Sequence, residues 1–179
     1  MDNFHEEIIV RKNRAVFEIL YYICYVLMVV CGLVCLYFFN WVLRFGDTLV
    51  FSLIMFVLAG GAAVGMWFGK DYLRVEYEYT FTNGEMDFAR VMNNNKRKHL
   101  FSFNARSIER MAPLEDAEFP RYRSMQDARK FNLVLNPGNK LYYLFFVNDK
   151  GEKALVTMEP SETMVNMIAE YAGPKKVIR

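Results

Sequence analysis

Histidine is scarce in this 179-residue chain, with only His5 and His99, far apart in sequence. His99 follows three cations with no partnered carboxylate visible in the sequence, and a satisfied or solvent-facing histidine is the reading for both. The chain also lacks a glycine-rich phosphate loop, a nucleophile elbow, a paired-histidine zinc motif and a dinucleotide fingerprint. The three cysteines, Cys24, Cys31 and Cys35, all fall inside one apolar run. They therefore form no spaced extracellular disulfide framework, and no His, Asp or Glu accompanies the Cys31-x3-Cys35 pair. They read as small, polarisable packing residues, and the expectation is no cofactor and no metal. A net charge of +2 is too small a surplus to point to nucleic acid. From Ala15 to Gly69, charge itself nearly vanishes: Glu18, Arg44 and Asp47 are the only ionisable acids and bases of strong character.

That gap in charge defines two long apolar runs. Ile19 to Leu43 is interrupted only by Asn40, and Thr48 to Phe68 only by Ser52. As a helix the first run reaches roughly 37 Å, enough to cross a ~30 Å hydrocarbon core. Fourteen of its residues are Leu, Ile, Val or Phe, each favouring insertion by roughly 0.3–0.6 kcal/mol near the centre. The link Arg44-Phe45-Gly46-Asp47 is short enough to make the helices antiparallel neighbours. Tyr21, Tyr22 and Trp41 bracket the first run, and Trp67 and Tyr72 mark the end of the second, as interfacial rings do. Arg11, Lys12 and Arg14 precede the hairpin and Lys70 and Arg74 follow it, against Arg44 alone in the link. This bias predicts a multi-pass protein of the cell membrane with both termini in the cytoplasm.

Within the second run Gly61 and Gly65, extended by Gly69 just beyond it, repeat every four residues and share a helix face. That face is expected to pack on Cys24, Cys31 and Cys35 of the first helix; a homodimer through the glycines is the alternative. Residues 1–18 mix charge with Phe4 and Ile8 at helical spacing, giving either a short interfacial amphipathic segment or a plain tail.

From residue 70 onward the pattern changes. Leu73, Val75, Tyr77, Tyr79 and Phe81 alternate with polar residues, which describes a half-buried strand. Asn83-Gly84 then signals a type I′ turn, with a return strand over Glu85 to Met92. Lys96, Arg97 and Lys98 read as a loop tip. Further strands are expected at His99–Phe103, Ser107–Met111, Lys130–Leu135, Leu141–Val147 and Lys153–Met158, with 114–129 an exposed loop. The turn before the last strand uses Asp149-Lys150-Gly151-Glu152. A helix over 161–172 starts at the capping Ser161 and stops at Gly173-Pro174. The domains are thus an N-terminal segment (1–18), a transmembrane hairpin (19–69, with spans at 19–43 and 48–68) and a cytoplasmic β domain (70–179). The predicted fold class is an α+β membrane protein: a two-helix hairpin, then about seven antiparallel strands closed by a C-terminal helix.

Seven strands and a closing helix resemble a pleckstrin-homology-like (PH-like) barrel. More specific stretches are Met1-Asp2, Ile9-Val10-Arg11-Lys12, Glu76-Tyr77-Glu78-Tyr79, Thr82-Asn83-Gly84-Glu85-Met86-Asp87, Lys96-Arg97-Lys98 and Glu159-Pro160-Ser161-Glu162. With these, nearly the whole chain resembles a family of small bacterial two-span membrane proteins with a C-terminal PH-like cytoplasmic domain. The resemblance implies that architecture and carries no catalytic residue. Ala89 stands where relatives often have a second acid two positions after the aspartate, which argues against a metal-binding pair there.

The functional expectation is a non-enzymatic, membrane-anchored module that binds a protein partner or an anionic membrane surface. Lys96, Arg97 and Lys98 are the candidate lipid contacts, worth about 1 kcal/mol per well-placed base; Arg121, Arg123 and Arg129 form a second basic group, and Lys175, Lys176 and Arg179 a basic tail. Phe101 and Phe103 are explained by sheet packing rather than base stacking. The carboxylates Glu76, Glu78, Glu85 and Asp87 read as solvated salt-bridge groups, with cross-strand Arg90 a partner for Glu76 or Glu78. The alternatives are a small-ligand sensor or enzyme whose pocket includes Glu76, Glu85 or His99, and an accessory subunit of a membrane transporter assembled through Gly61 and Gly65.

Overall fold

A computed structural model describes residues 3–44, 46–148 and 150–178. Met1, Asp2, Phe45, Asp149 and Arg179, on which parts of the resemblance, the hairpin link, the last turn and the basic tail rely, lie outside the described residues. The chain divides into two compact units. One comprises 13–75 and 92–96, and the other 1–12, 76–91 and 97–179.

The first unit is built on helices α1 (Arg14–Val42) and α2 (Leu49–Gly69). Both are long and apolar enough to cross a membrane by length and composition. Ser52 is buried in α2 and Tyr21 in α1, whereas Val26, Leu33, Leu36, Val50 and Leu58 stand outward. Cys24, Cys31 and Cys35 are half-buried, and the Cys35 thiol points at the Phe56 carbonyl 3.7 Å away. The glycines meet this surface differently from expectation. A methyl group on Gly60 would lie 3.5 Å from the Cys35 sulfur, while one on Gly61, Gly65 or Gly69 would touch nothing. The inward face of α2 is the one carrying Gly60. One residue is a 100° rotation on a helix, so the Gly61-Gly65-Gly69 stripe turns away from α1. The four-residue repeat identified a face without giving its direction.

The second unit is α+β. Strands β1 (Phe4–Ile9), β2 (Val75–Thr82), β3 (Glu85–Met92) and β4 (Lys96–Asn104) form one sheet in the order β1-β2-β3-β4. Strands β5 (Ile108–Pro113), β6 (Ala128–Asn132), β7 (Tyr142–Val147) and β8 (Lys153–Met158) form another, in the order β5-β7-β8-β6. The second sheet is mixed, because β6 runs parallel to β8. The extra strand relative to the expected seven is β1. Its alternating exposed and half-buried residues pair antiparallel with β2, so residues 4–9 are not a helix or a tail. Phe4 and Ile8, four apart, satisfy helical and strand spacing alike; the availability of β2 decides between them.

Tyr79, Phe81, Met86, Phe88, Ile108, Leu144 and Val156 form a closed core together with helix α4 (Glu162–Ala172). The rings of Phe103 and Phe146 stack at 4.0 Å between centroids, and those of Phe101 and Phe131 approach to 4.2 Å. Phe101 and Phe103 are therefore packing residues. Met164, Val165 and Ile168 bury one face of α4, each contributing roughly 1.5–3 kcal/mol. The turn after β2 has φ of 51° at Asn83 and 95° at Gly84. A side chain at Gly84 would collide with the Tyr171 ring at 2.6 Å, so glycine is required there by both backbone and space.

Residues 114–129 differ from the exposed loop the sequence suggested. Phe119–Ser124 forms a short helix, α3. Phe119, Tyr122 and Met125 cover Tyr143, Phe145 and Leu155 on the outer face of the second sheet. This explains why β7 is apolar at every position: Tyr142, Leu144 and Phe146 face the main core, and Tyr143 and Phe145 face the cover.

Candidate functional site

Two surface regions of the β unit bring polar side chains together. The first lies between β1 and the start of α4. Glu159 is buried at the end of β8, where its carboxylate accepts from the Leu135 and Asn136 backbone N–H groups at 2.8 and 3.2 Å. It also accepts from the side-chain amides of Asn136 and Asn139 at 3.1 and 2.7 Å. Asn136 then donates to the Val10 carbonyl at 2.9 Å and accepts from the Lys12 N–H at 2.8 Å. This polar knot fastens the end of the N-terminal segment to the β7 approach loop. The charge is buried at low cost because both oxygens are saturated with donors.

Beside it, Glu7 accepts from the backbone N–H of Ser161 at 3.0 Å and from the Ser161 hydroxyl. His5 Nε2 lies 2.8 Å from the same carboxylate. Ser161 is the N-cap of α4, its hydroxyl oxygen accepting from Met164 N–H at 3.2 Å. A groove of about 540 Å³ runs along this seam, lined in part by Ile8, Ile9, Tyr142, Lys140, Glu162 and Val165. The Tyr142 hydroxyl holds the Lys140 ammonium above its ordinary range. Lys140 is thus a fixed cation, and Ser161 has committed its proton to Glu7.

The second region is the outer face of the first sheet. Thr80, Asp87, Ala89, Arg97 and His99 line a shallow depression of about 370 Å³. Asp87, Ser102 and His99 suggest a nucleophilic triad by composition, but their order is wrong. The Ser102 hydroxyl donates to Asp87, and His99 Nε2 lies 2.7 Å from the same hydroxyl oxygen. The one serine proton goes to the carboxylate, so the imidazole can only donate to Ser102 and cannot serve as its base. Ala89 contributes no second acid, and among the described residues no group of metal-ligating side chains occurs.

The candidate lipid contacts fall on strand β4 rather than on a loop tip. Asn93 and Asn94, with φ of 52° and 51°, make the turn immediately before it. Lys96 Nζ lies 2.9 Å from Asp71, and Arg97 Nε 2.8 Å from Glu78. Only Lys98 of the three has no ion pair among the described residues. The carboxylates of the first hairpin are likewise dispersed: Glu78 is taken by Arg97, Asp87 by Ser102, and neither Glu76 nor Glu85 lines the depression that holds His99. Arg121 and Arg123 are exposed on α3, and Arg129 on β6.

The helical unit holds a cluster that the sequence reading did not assemble. Lys70 is buried, its ammonium 4.2 Å from the Trp67 ring centre and 5.5 Å from that of Tyr25. The Arg74 guanidinium stacks 3.8 Å from Tyr21. Asn93 donates to the Tyr21 hydroxyl at 3.2 Å, and Asp71 lies between Lys70 and Lys96. Cations over ring faces at one end of an apolar helix pair suit a boundary between an apolar and a wet medium. The signal was present in Tyr21, Tyr25, Trp67, Lys70 and Arg74, but Asn93 is too remote in sequence to be grouped with them.

Neither a curated protein nor a solved structure matches the chain. A family model described as bacterial PH-like domain (DUF6106) matches residues 1–179. The match spans the helices and both sheets, and the chain belongs to that bacterial PH-like family.

Proposed function

We propose that this protein is a membrane-anchored, non-enzymatic adaptor: α1 and α2 cross the cell membrane with both termini cytoplasmic, and the PH-like unit binds a polypeptide partner. The outward ranks of Val, Leu and Phe on α1 and α2, with cation–aromatic pairs at one end, support the anchor. The observation that carries the binding role is the way polar groups are spent in the β unit. Ser102, Ser161, Glu7 and Glu159 are engaged by neighbours that hold structure together, whereas the seam along β1 stays open beside exposed Phe4 and Ile8. An anionic-surface role through β4 has less support, because Lys96 and Arg97 are already neutralised. The outward Gly61-Gly65-Gly69 stripe leaves room for a helix from outside this chain, a second copy included.

Two measurements test this reading. A reporter fused behind Arg179 is expected to be active only in the cytoplasm, and activity outside overturns the topology. Affinity capture of the intact chain from detergent-solubilised membranes is expected to return a stoichiometric polypeptide. A chain recovered with lipid alone refutes the adaptor role.

A further inference from the structure

The four sheet edges of the β unit are not treated alike. The outer edge of β5 is covered: Met111 N–H donates to the Lys176 carbonyl and Ile178 N–H to the Met111 carbonyl, both at 2.8 Å. The β4 edge carries Lys96, Arg97 and Lys98, and the β6 edge carries exposed Arg129 and Lys130. Charged edges of this kind discourage pairing with other chains. Edge strand β1 has no lysine, arginine or proline, and its register with β2 runs without a bulge from Phe4 to Ile9.

The ladder shows which backbone groups β1 leaves open. Asn83 N–H donates to the Asn3 carbonyl at 2.9 Å, which makes Asn3–Asn83 a hydrogen-bonded pair. Bonded pairs alternate in an antiparallel ladder, so His5, Glu7 and Ile9 also face β2. The N–H and C=O groups of Phe4, Glu6 and Ile8 therefore point away from the sheet, and they make no backbone bond to another described segment. Phe4 and Ile8 flank this edge, 59% and 55% exposed. The groove beyond it is walled by Val165 and Tyr142.

We infer that β1 is a docking edge for an extended, lysine- or arginine-bearing segment of a partner polypeptide, which adds beside it as a fifth strand of the first sheet. This rests on the adaptor reading and names its site and the chemistry of its partner. The open backbone groups recognise any extended chain. Charge selects among such chains at the edge itself, where Glu6 stands between Phe4 and Ile8 on the outer face; in the groove beside it Glu162 and Lys140 offset one another. An incoming strand alternating aliphatic and basic side chains matches Phe4-x-Glu6-x-Ile8. A second copy of β1 fits less well: the central symmetric register sets Glu6 against Glu6, the register two residues further on sets Glu7 against Glu7, and the one two residues back sets Glu6 against Phe4 and leaves both glutamates without a basic partner.

The test uses the full chain in detergent micelles and two model peptides, one alternating valine with lysine and the other valine with glutamate. The lysine peptide is expected to bind and to slow hydrogen exchange at the amides of Phe4, Glu6 and Ile8. Glu6→Pro removes one outward N–H without removing a bond to β2, and Glu6→Lys reverses the local charge on an intact backbone. Each should weaken the lysine peptide by about tenfold or more, with thermal unfolding of the variants as the folding control. Binding that leaves those amides unprotected, or that survives both substitutions, overturns the edge. Preference for the glutamate peptide, or a β1–β1 cross-link between two copies, overturns the assigned partner chemistry. Capture of a polypeptide by the wild type that persists in both variants leaves the adaptor reading standing while the edge falls. If the wild type captures none, the adaptor reading itself fails.

Discussion

In α1 and α2 the large apolar side chains Val26, Leu33, Leu36, Val50, Phe51 and Leu58 point outward, each close to 60% exposed or more. In the β unit Tyr79, Phe81, Phe88, Met111, Leu144 and Ile168 are wholly enclosed. Similar residue types thus meet opposite surroundings in one chain. A protein dissolved only in water does not leave two ranks of Leu, Val and Phe uncovered, since apolar patches of that size are normally an interface with something apolar. The outward apolar ranks of the helices are what the proposed membrane anchoring calls for, and contact between such helices comes from shape and small residues such as Gly60. The β unit has the arrangement selected by water, where burial itself is the driving force.

Substitutions can break this contrast. The largest effect is expected for Phe88→Ala, since Phe88 is fully buried and packs on Tyr79, Phe101 and Phe103. The loss should be about 3–5 kcal/mol in denaturant unfolding of the β unit. Leu36→Ala on the outer face of α1 should leave that transition unmoved, and an equal loss there would erase the distinction between the regions. A smaller effect sharpens the comparison within the hairpin. Gly60→Leu forces a side chain toward Cys35 and should destabilise α1–α2 packing by about 1–3 kcal/mol, whereas Gly65→Leu should not alter the packing within one chain. Cross-linking between cysteines placed in the two helices reads both, and equal sensitivity would contradict the outward orientation of the stripe.

The smallest effect concerns acid. The Tyr143 hydroxyl donates to Asp116, and Arg110 lies 3.0 Å from it, so the carboxyl is held below its ordinary 3.8. A depressed folded-state value stabilises the protein above the ordinary range, and that stability is lost as pH falls through the folded value. Asp116→Asn should therefore flatten the acid side of the Tm–pH profile by a few degrees at most. An unchanged acid limb would mean that the Asp116–Tyr143–Arg110 contact contributes nothing.

Much of the fold was legible because its periods are local. The alternation through Tyr77, Tyr79 and Phe81, the Asn83-Gly84 turn and the Ser161 cap each state their structure within a few residues. Strands β3 and β8 fall where the pattern placed them. What escaped depends on partners remote in sequence. Lys96 and Arg97 resemble a free basic tip until Asp71 and Glu78 are brought beside them. Phe119 and Tyr122 read as loop residues because the face they cover belongs to β7.

The sequence by itself determined two apolar helices, an alternating β unit and the absence of any recognisable catalytic motif, because composition and period encode these without reference to other segments. Tertiary structure decided that residues 4–9 join a sheet instead of forming a helix, that Gly60 and not Gly61 faces Cys35, and that β1 alone keeps an uncovered edge without basic protection among the described residues. Each of these is a question of which surface a residue meets. Strand pairing, helix rotation and edge coverage are fixed by contacts between distant parts of the chain, and no local pattern records them.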